Sequence, residues 1–202
     1  MIPTTLILDG IWGRPLRFAR LRRELEKAGG STEIFHYNFN GSACLEAEGR
    51  KLAADIRRRG ELVNLLGFSM GGVVVRAAHE SDPSLPIHRA AFINTPHSGS
   101  LMACLVPWKS MLGIQQLRPN SDLLRRLDAA DWRIPTLAVW CPFDLAVVPG
   151  TSARWVRATQ SLRCAVPLHS WPIFSHKIHR RLAEFFAADR DLSLCNENQQ
   201  KD

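Results

Sequence analysis

The sequence is 202 residues long, the size of one globular domain. Hydrophobic residues make up 46% of it and charged residues 22%, which excludes disordered, collagen-like and coiled-coil chains. No apolar run approaches the roughly 18 residues that a membrane-spanning helix needs. The first ten residues lack the basic segment and the small-residue cleavage site of a signal peptide, so we expect a cytoplasmic protein.

The chain is basic: lysine and arginine number 26, aspartate and glutamate 19, and the net charge is +7. The arginines occur in short groups inside predicted helices, which is typical of solvated helix faces. No helix-turn-helix or RNA-binding signature accompanies them, so we expect no nucleic-acid partner. The alternative interpretation is a basic patch that favours anionic substrates or a lipid surface.

The five cysteines are an odd number and show no metal-ligand spacing. Cys141 and Cys164 lie in apolar sequence surroundings, and we expect both to be buried, inert thiols. This cysteine usage is typical of a reducing compartment. It gives no indication of a metal site.

Short apolar runs alternate with longer amphipathic ones along the chain. The first run, Thr4–Leu8, predicts a strand, and the pattern after it predicts a helix near Leu16–Ala28 that ends at a glycine pair. The alternation then predicts strands at Thr32–His36, Leu62–Phe68, Arg89–Ile93, Thr136–Trp140 and Leu162–Val166, with helices at Leu45–Arg58, at Ser69–Glu80, from near Ser121 and at Ser175–Ala188.

Strands that are apolar throughout and alternate with amphipathic helices predict an α/β fold. We expect a parallel sheet of about six strands with helices on both faces. One domain would span residues 1–188, and residues 189–202 would form a polar, flexible tail. In such sheets ligands bind beyond the carboxyl ends of the strands, which directs attention to the residues that follow each strand.

A G-x-S-x-G motif, Gly67 to Gly71, follows the third predicted strand and precedes a helix. This context is that of a nucleophilic serine, here Ser69, held on a strained turn between glycines that have no side chain to clash. The alternative is that Ser69 only caps the helix that begins at Met70.

A nucleophilic serine needs a base, and the base needs a carboxylate to orient it. Asp144 follows the strand Thr136–Trp140 at the carboxyl end of the sheet, where an ordinary turn role is an equally good interpretation. Three histidines follow the last predicted strand. We favour His169, which lies in the strand-to-helix loop. His176, near the start of the final helix, is the alternative base, and we expect His179 to be a surface residue.

Several stretches resemble the α/β-hydrolases, in particular the small, lidless bacterial lipases and esterases. They are Leu6–Pro15 (LILDGIWGRP), Leu65–Gly72 (LLGFSMGG), Asn94–Ser100 (NTPHSGS), Phe143–Pro149 (FDLAVVP) and His169–Phe186 (HSWPIFSHKIHRRLAEFF). The resemblance covers residues 4–188. It implies a minimal α/β-hydrolase fold of six parallel strands with a triad of Ser69, Asp144 and His169.

The resemblance also implies an oxyanion hole formed by the backbone amides of Ile11 and Met70. Electrostatics supports Met70, because free amides and the dipole at a helix start favour negative charge. Asp9 in the oxyanion loop and Phe68 before the serine depart from the family pattern, which usually has histidine at the first position and often at the second. An ionised Asp9 side chain would be unfavourable close to the oxyanion. The alternative is that the side chain points away and forms a hydrogen bond with the loop.

Two further features bear on the substrate. Trp12 and Trp171 flank the expected oxyanion and histidine positions, where they would wall an acyl pocket or serve as ordinary loop aromatics. The apolar stretch Leu101–Leu117 lies between a strand and a helix, where it would form a small flap over the site or pack as an irregular loop.

Together these residues predict a serine hydrolase of lipase or esterase type, which cleaves a small acyl ester without a metal or an organic cofactor. The same acyl-enzyme would also serve an acyltransferase or a thioesterase. A third hypothesis, motivated by Asp9 and by the choice among three histidines, is a binding protein on a weak or inactive hydrolase fold.

Overall fold

The computed structural model describes residues 1–106, 111–166 and 168–188. Its centre is a sheet of six parallel strands in the order β2-β1-β3-β4-β5-β6. The strands are β1 (Thr4–Leu8), β2 (Thr32–Ile34), β3 (Val63–Phe68), β4 (Ile87–Ile93), β5 (Thr136–Trp140) and β6 (Gln160–Arg163). The chain runs outward in opposite directions from β1 and β3, so a crevice for ligands is expected at the carboxyl ends of these two strands.

Helices cover both faces of the sheet, as its apolar strands require. On one face α1 and α6 pack against each other, and on the other α2, α3 and α5 share a second core. The helices of the described residues are α1 (Ala19–Lys27), α2 (Leu45–Arg59), α3 (Met70–Ser81), the short α4 (Leu112–Gln115), α5 (Asp122–Ala129) and α6 (His176–Ala187).

The central strands alternate their side chains between these two cores. In β1, Leu6 and Leu8 join the core under α2 and α3, whereas Ile7 joins the core under α1 and α6. All three are fully buried, which is why the strand reads as a continuous apolar run. The predicted parallel α/β sheet of six strands is confirmed.

The largest differences from the predicted elements are at the last strand and the first helix, while β2 ends two residues earlier and β4 begins two residues earlier than predicted. The last strand, expected to be apolar at Leu162–Val166, spans Gln160–Arg163 and is largely exposed. It lies at the edge of the sheet, where Leu162 packs against the core and polar residues face solvent. The first helix begins at Ala19 instead of Leu16, because a 3₁₀ turn occupies Pro15–Phe18.

The burial of two cysteines differs between the interior and the edge of the sheet. Cys141 at the end of β5 is buried as predicted, and burial raises the pKa of its thiol to about 12. Cys164 is only half-buried, contrary to expectation, because it follows the exposed edge strand β6.

The predicted polar tail, residues 189–202, lies outside the described residues. In the described part of the chain, no helix combines the length and the apolar character that crossing a membrane requires.

Candidate active site

Ser69 forms the turn between β3 and α3. Its amide donates to the carbonyl of Ile93 on the neighbouring strand at 2.8 Å, and its backbone has φ 52° and ψ −124°. An L residue adopts such a positive φ only when the surrounding structure imposes it. The structure gives Ser69 no side-chain capping bond to α3, in contrast to the capping alternative. The turn therefore holds the serine at the carboxyl end of the sheet.

The motif glycines allow this turn to sit close to its neighbours. A Cβ at Gly67 would lie 2.4 Å from the Cα of Gly72, and one at Gly71 would lie 2.4 Å from the carbonyl oxygen of Leu8. Neither approach is possible for a residue with a side chain. The G-x-S-x-G spacing is thus explained by contacts with α3 and β1.

Asp144 and His169 are joined by a short contact of 2.6 Å between Oδ2 and Nδ1. The Asp144 carboxyl is buried, and its Oδ1 also accepts the amides of Ala146 and Val147 at 2.8 and 3.0 Å. The turn role and the partner role of Asp144 therefore coexist. The loop bonds orient the carboxylate, and the carboxylate in turn orients the imidazole of His169.

The other two histidines of this region lie elsewhere. His176 is the first residue of α6 and lines a surface groove with Glu24 and Lys27. The prediction that His179 lies at the surface is wrong: it is fully buried, with its Nε2 2.6 Å from the carbonyl oxygen of Ile173. It packs there because α6 turns this face toward the 3₁₀ turn Trp171–Phe174, and burial lowers the pKa of its imidazole.

Asn94 is a site residue that sequence reasoning missed. It follows β4 directly, is fully buried, and donates from Nδ2 to the backbone carbonyl of His169 at 2.7 Å. The available signal was its position after a strand in the stretch NTPHSGS. That position did not reveal a contact with a residue 75 positions later.

Ser69 and His169 line one small cavity of about 180 Å³, and its exposed lining is mostly apolar. Trp12 borders this cavity, whereas Trp171 lines a neighbouring groove with Leu16 and Phe174. The stretch 101–117 supplies Met102, Ala103, Val106, Ile114 and Leu117 to the lining, while its residues 107–110 lie outside the described residues. In the described part of the chain, no group of three or more His, Cys, Asp or Glu residues is placed to hold a metal ion.

Ile11 lies in the loop after β1 and lines the cavity, and Met70 is the first residue of α3, directly after Ser69. Among the described residues, neither of their backbone amides donates to a protein acceptor. Unpaired amides at a helix start and in a loop are suited to bind an anionic oxygen.

Asp9 does not face the cavity as an isolated charge. It is 2% exposed, its Oδ1 accepts the Gly10 amide at 2.7 Å, and Arg17 Nε donates to its Oδ2 at 3.0 Å. Burial nevertheless raises its pKa, although Arg17 and the Gly10 amide act in the opposite direction. Phe68, the second departure from the family pattern, packs against His169 with ring centroids 4.9 Å apart.

The sheet order, with the serine turn after β3, the aspartate after β5 and the histidine after β6, is that of the α/β-hydrolase fold. The chain has this fold. It is similar to the monoacylglycerol lipase of Paleococcus ferrophilus, with 16% identity and a TM-score of 0.69, over 91% of this chain and 93% of that one.

Two further solved structures share the fold. MGS-MChE2, an α/β hydrolase from the sediment metagenome of the Mar Chica lagoon in Morocco, is 18% identical over 92% of this chain and 91% of its own, with a TM-score of 0.69. The lipase BlEst2 of Bacillus licheniformis is 16% identical over 90% and 91%, with a TM-score of 0.66. The sequence matches no protein-family model and no curated protein sequence.

Proposed function

We propose that this protein hydrolyses carboxylic esters through an acyl-enzyme formed on Ser69. The observation that carries the proposal is the pairing of Asp144 with His169 at 2.6 Å beside a cavity that His169 shares with Ser69. A buried carboxylate that orients an imidazole next to a serine on a strained turn is the arrangement that activates a hydroxyl as a nucleophile.

In this mechanism the Ser69 Oγ attacks the ester carbonyl carbon while Nε2 of His169 takes the hydroxyl proton. The Asp144 carboxylate holds Nδ1–H and stabilises the imidazolium that forms. The tetrahedral intermediate then collapses, the C–O bond to the alcohol breaks, and His169 returns the proton to the departing oxygen. Water, deprotonated by His169, attacks the acyl-enzyme and releases the carboxylic acid and free Ser69.

The developing oxyanion would be bound by the amides of Met70 and Ile11. Met70 begins α3, so its amide combines a free donor with the positive end of the helix dipole. One fixed donor of this kind contributes about 3 kcal/mol to transition-state stabilisation. No metal or organic cofactor takes part in any step of the proposal.

The cavity favours a short acyl chain. Its volume of about 180 Å³ is below the roughly 300 Å³ of the smallest sites that enclose drug-sized ligands. Ile114 and Leu117, both buried, contribute to the lining and limit how far an acyl chain can extend into the protein.

The rim of the cavity favours substrates presented at a lipid surface. Large apolar side chains are exposed on loops after several different strands, all at the carboxyl end of the sheet. They include Trp12 after β1, Leu101 and Leu105 after β4, Leu145 after β5 and Leu168 after β6. Exposed apolar clusters of this kind mark contacts with lipids or other partners, and the net charge of +7 favours an anionic surface.

The test is hydrolysis of p-nitrophenyl esters, from acetate to palmitate, by the wild type and by Ser69→Ala, Asp144→Asn and His169→Gln. We expect each variant to lower kcat by at least about a thousandfold. His176→Gln, a histidine in the surface groove, is the matched control and should retain wild-type activity. Loss of activity in His176→Gln with retention in His169→Gln would overturn the assignment of the base.

The alternative functions are separate outcomes of this assay. An added alcohol that captures the acyl group in preference to water would identify an acyltransferase, and faster cleavage of a matched thioester would identify a thioesterase. Absence of any cleavage by folded wild type, together with failure of a fluorophosphonate to label Ser69, would favour a binding protein.

A further inference from the structure

We propose that Asp9 and Arg17 form a charge-matched pair that positions the oxyanion loop, residues 9–13, and the contact of Phe68 with His169. The inference rests on the proposed function, and it assigns a role to two residues that touch no substrate. Both are therefore positioning residues.

The Asp9 side chain fixes the loop from inside. Its Oδ1 accepts the Gly10 amide at 2.7 Å, and Gly13 packs so closely that a Cβ there would lie 2.6 Å from Oδ2. The hydroxyl of Tyr37 donates to the Asp9 carbonyl at 2.5 Å. Side chain and backbone of Asp9 are thus both held, two residues before the Ile11 amide that we assign to the oxyanion.

This loop is in direct contact with the nucleophile turn. A Cβ at Gly10 would lie 2.9 Å from the Cβ of Ser69 and 3.1 Å from the Phe68 ring. A displacement of the loop by even an ångström would therefore move its amides relative to Ser69. Such small misplacements lower turnover strongly, because the donors must match the transition state.

Arg17 extends the same unit toward His169. Its Nε donates to Asp9 Oδ2 at 3.0 Å, and its Nη2 makes an ion-pair contact of 2.6 Å with Oδ1. The guanidinium carbon also lies 5.1 Å from the centroid of the Phe68 ring, within cation–π range. Phe68 in turn contacts His169 at 4.9 Å between ring centroids.

The pairing has an electrostatic consequence. An unpaired carboxylate this deeply buried would repel the oxyanion and favour the imidazolium, whereas the ion pair is close to neutral as a whole. The charged and titratable groups that face Asp9 are Arg17 from the turn after the loop and Tyr37 from the segment after β2. Burial raises the pKa of the Tyr37 hydroxyl above its ordinary value, and the charges of Asp9 and of Glu48 on α2 act in the same direction.

Three variants test the pair: Arg17→Gln, Asp9→Asn and the double variant. In Arg17→Gln the Asp9 carboxyl group is neutral at low pH and becomes an unpaired carboxylate as the pH rises. Because this charge repels the oxyanion, we expect kcat to fall below that of the wild type by about tenfold at alkaline pH. The double variant has no carboxylate and should recover the part of that loss that appears only at alkaline pH, whereas any loss from a displaced loop should remain at all pH values. A purely structural defect would lower kcat equally at all pH values and would not be recovered.

A second readout needs no substrate. In an NMR titration of the His169 ring, assigned with His169→Gln, the midpoint should move to higher pH in Arg17→Gln and to lower pH in Asp9→Asn. The opposite signs follow from leaving a lone negative or a lone positive charge near the ring. Asp9→Asn keeps the shape of the side chain, so it supplies the test even if Arg17→Gln does not fold.

Arg57→Gln is the matched control, because Arg57, in the last turn of α2, donates hydrogen bonds to both carboxylate oxygens of Asp82 at the surface. It should leave the pH–rate profile and the His169 titration unchanged. Wild-type profiles and titration midpoints in both Arg17→Gln and Asp9→Asn would overturn the inference. If the wild type cleaves no ester, the proposed function fails, while the two opposite titration shifts still decide whether the pair acts on His169.

Discussion

The side-chain amide of Asn94 holds the backbone of His169, with 2.7 Å between Nδ2 and the carbonyl oxygen. Asn94 does so from a backbone φ of 46°, a region that asparagine tolerates better than most residues with a side chain. Its own amide donates to the carbonyl of Val139 on β5 at 2.8 Å. The position of His169 therefore depends on the ends of β4 and β5 as well as on its bond with Asp144.

Replacement of Asn94 by glycine should lower kcat for p-nitrophenyl butyrate by about tenfold, with a smaller change in KM. Glycine accepts the positive φ, so the variant removes the hydrogen bond to His169 without adding backbone strain. Asn64→Gly is the control: Asn64 is also fully buried and donates to a backbone carbonyl, that of Pro3, at 3.1 Å. Equal losses of kcat in both variants would contradict a specific role for Asn94.

Under the proposed function, enlargement of the cavity that Ser69 and His169 line should change the preferred acyl-chain length. Leu117→Ala removes a side chain from the lining, so the ratio of kcat/KM for octanoate to that for butyrate should rise by about tenfold. Leu127→Ala truncates an equally apolar, buried residue of α5 in the same core. Both variants should lose about 2–5 kcal/mol of unfolding free energy, but Leu127→Ala should leave the ratio unchanged. An unchanged ratio in Leu117→Ala would place the acyl chain elsewhere.

The sheet and the positions of Ser69 and Asp144 could be predicted because both depend on local patterns. A residue directly after an apolar parallel strand must emerge at the carboxyl edge of the sheet, whatever the rest of the chain does. His169 was harder to choose, since three histidines follow the last strand, and it was favoured by its place in the strand-to-helix loop and by the family resemblance. Asp144 was compatible with a turn, and in the structure it makes the turn bonds as well.

The contacts that tie the site together could not be predicted, because they join segments far apart in sequence. The burial of His179 depends on how α6 meets the turn Trp171–Phe174, and the exposure of β6 depends on its place at the sheet edge. The orientation of Asp9 was open for the same reason. Its partner Arg17 lies in a turn that the helical pattern did not separate from α1.

Buried His97 should make the protein less stable as pH falls. Its ring stacks on Trp155 at 4.8 Å beside the Arg76 guanidinium, and burial followed by this charge lowers its pKa well below the ordinary value. Below about pH 6.5 the unfolded chain binds a proton here that the folded protein does not. The free energy of unfolding therefore decreases with falling pH, by up to about 1.4 kcal/mol per pH unit from this residue.

His97→Phe keeps an aromatic ring and removes the titrating group, so the decline measured by urea unfolding should become shallower below about pH 6.5. The exposed His36, changed to phenylalanine in the same way, should leave the slope as it is in the wild type. A slope in His97→Phe as steep as that of the wild type would show that other groups, such as buried His79 or His179, carry the effect.

The apolar rim should bind anionic lipid. In co-sedimentation with vesicles of phosphatidylcholine and phosphatidylglycerol, Leu101→Ser/Leu145→Ser should reduce binding by about tenfold, because two exposed apolar side chains no longer enter the lipid. Leu62→Ser/Val156→Ser is the control, because it removes two exposed apolar side chains that precede β3 and β6 and so lie toward the amino ends of the strands. It should bind like the wild type. Added salt should weaken wild-type binding, since the net charge of +7 contributes. Equal loss in both double variants would contradict a specific role of the rim in vesicle binding.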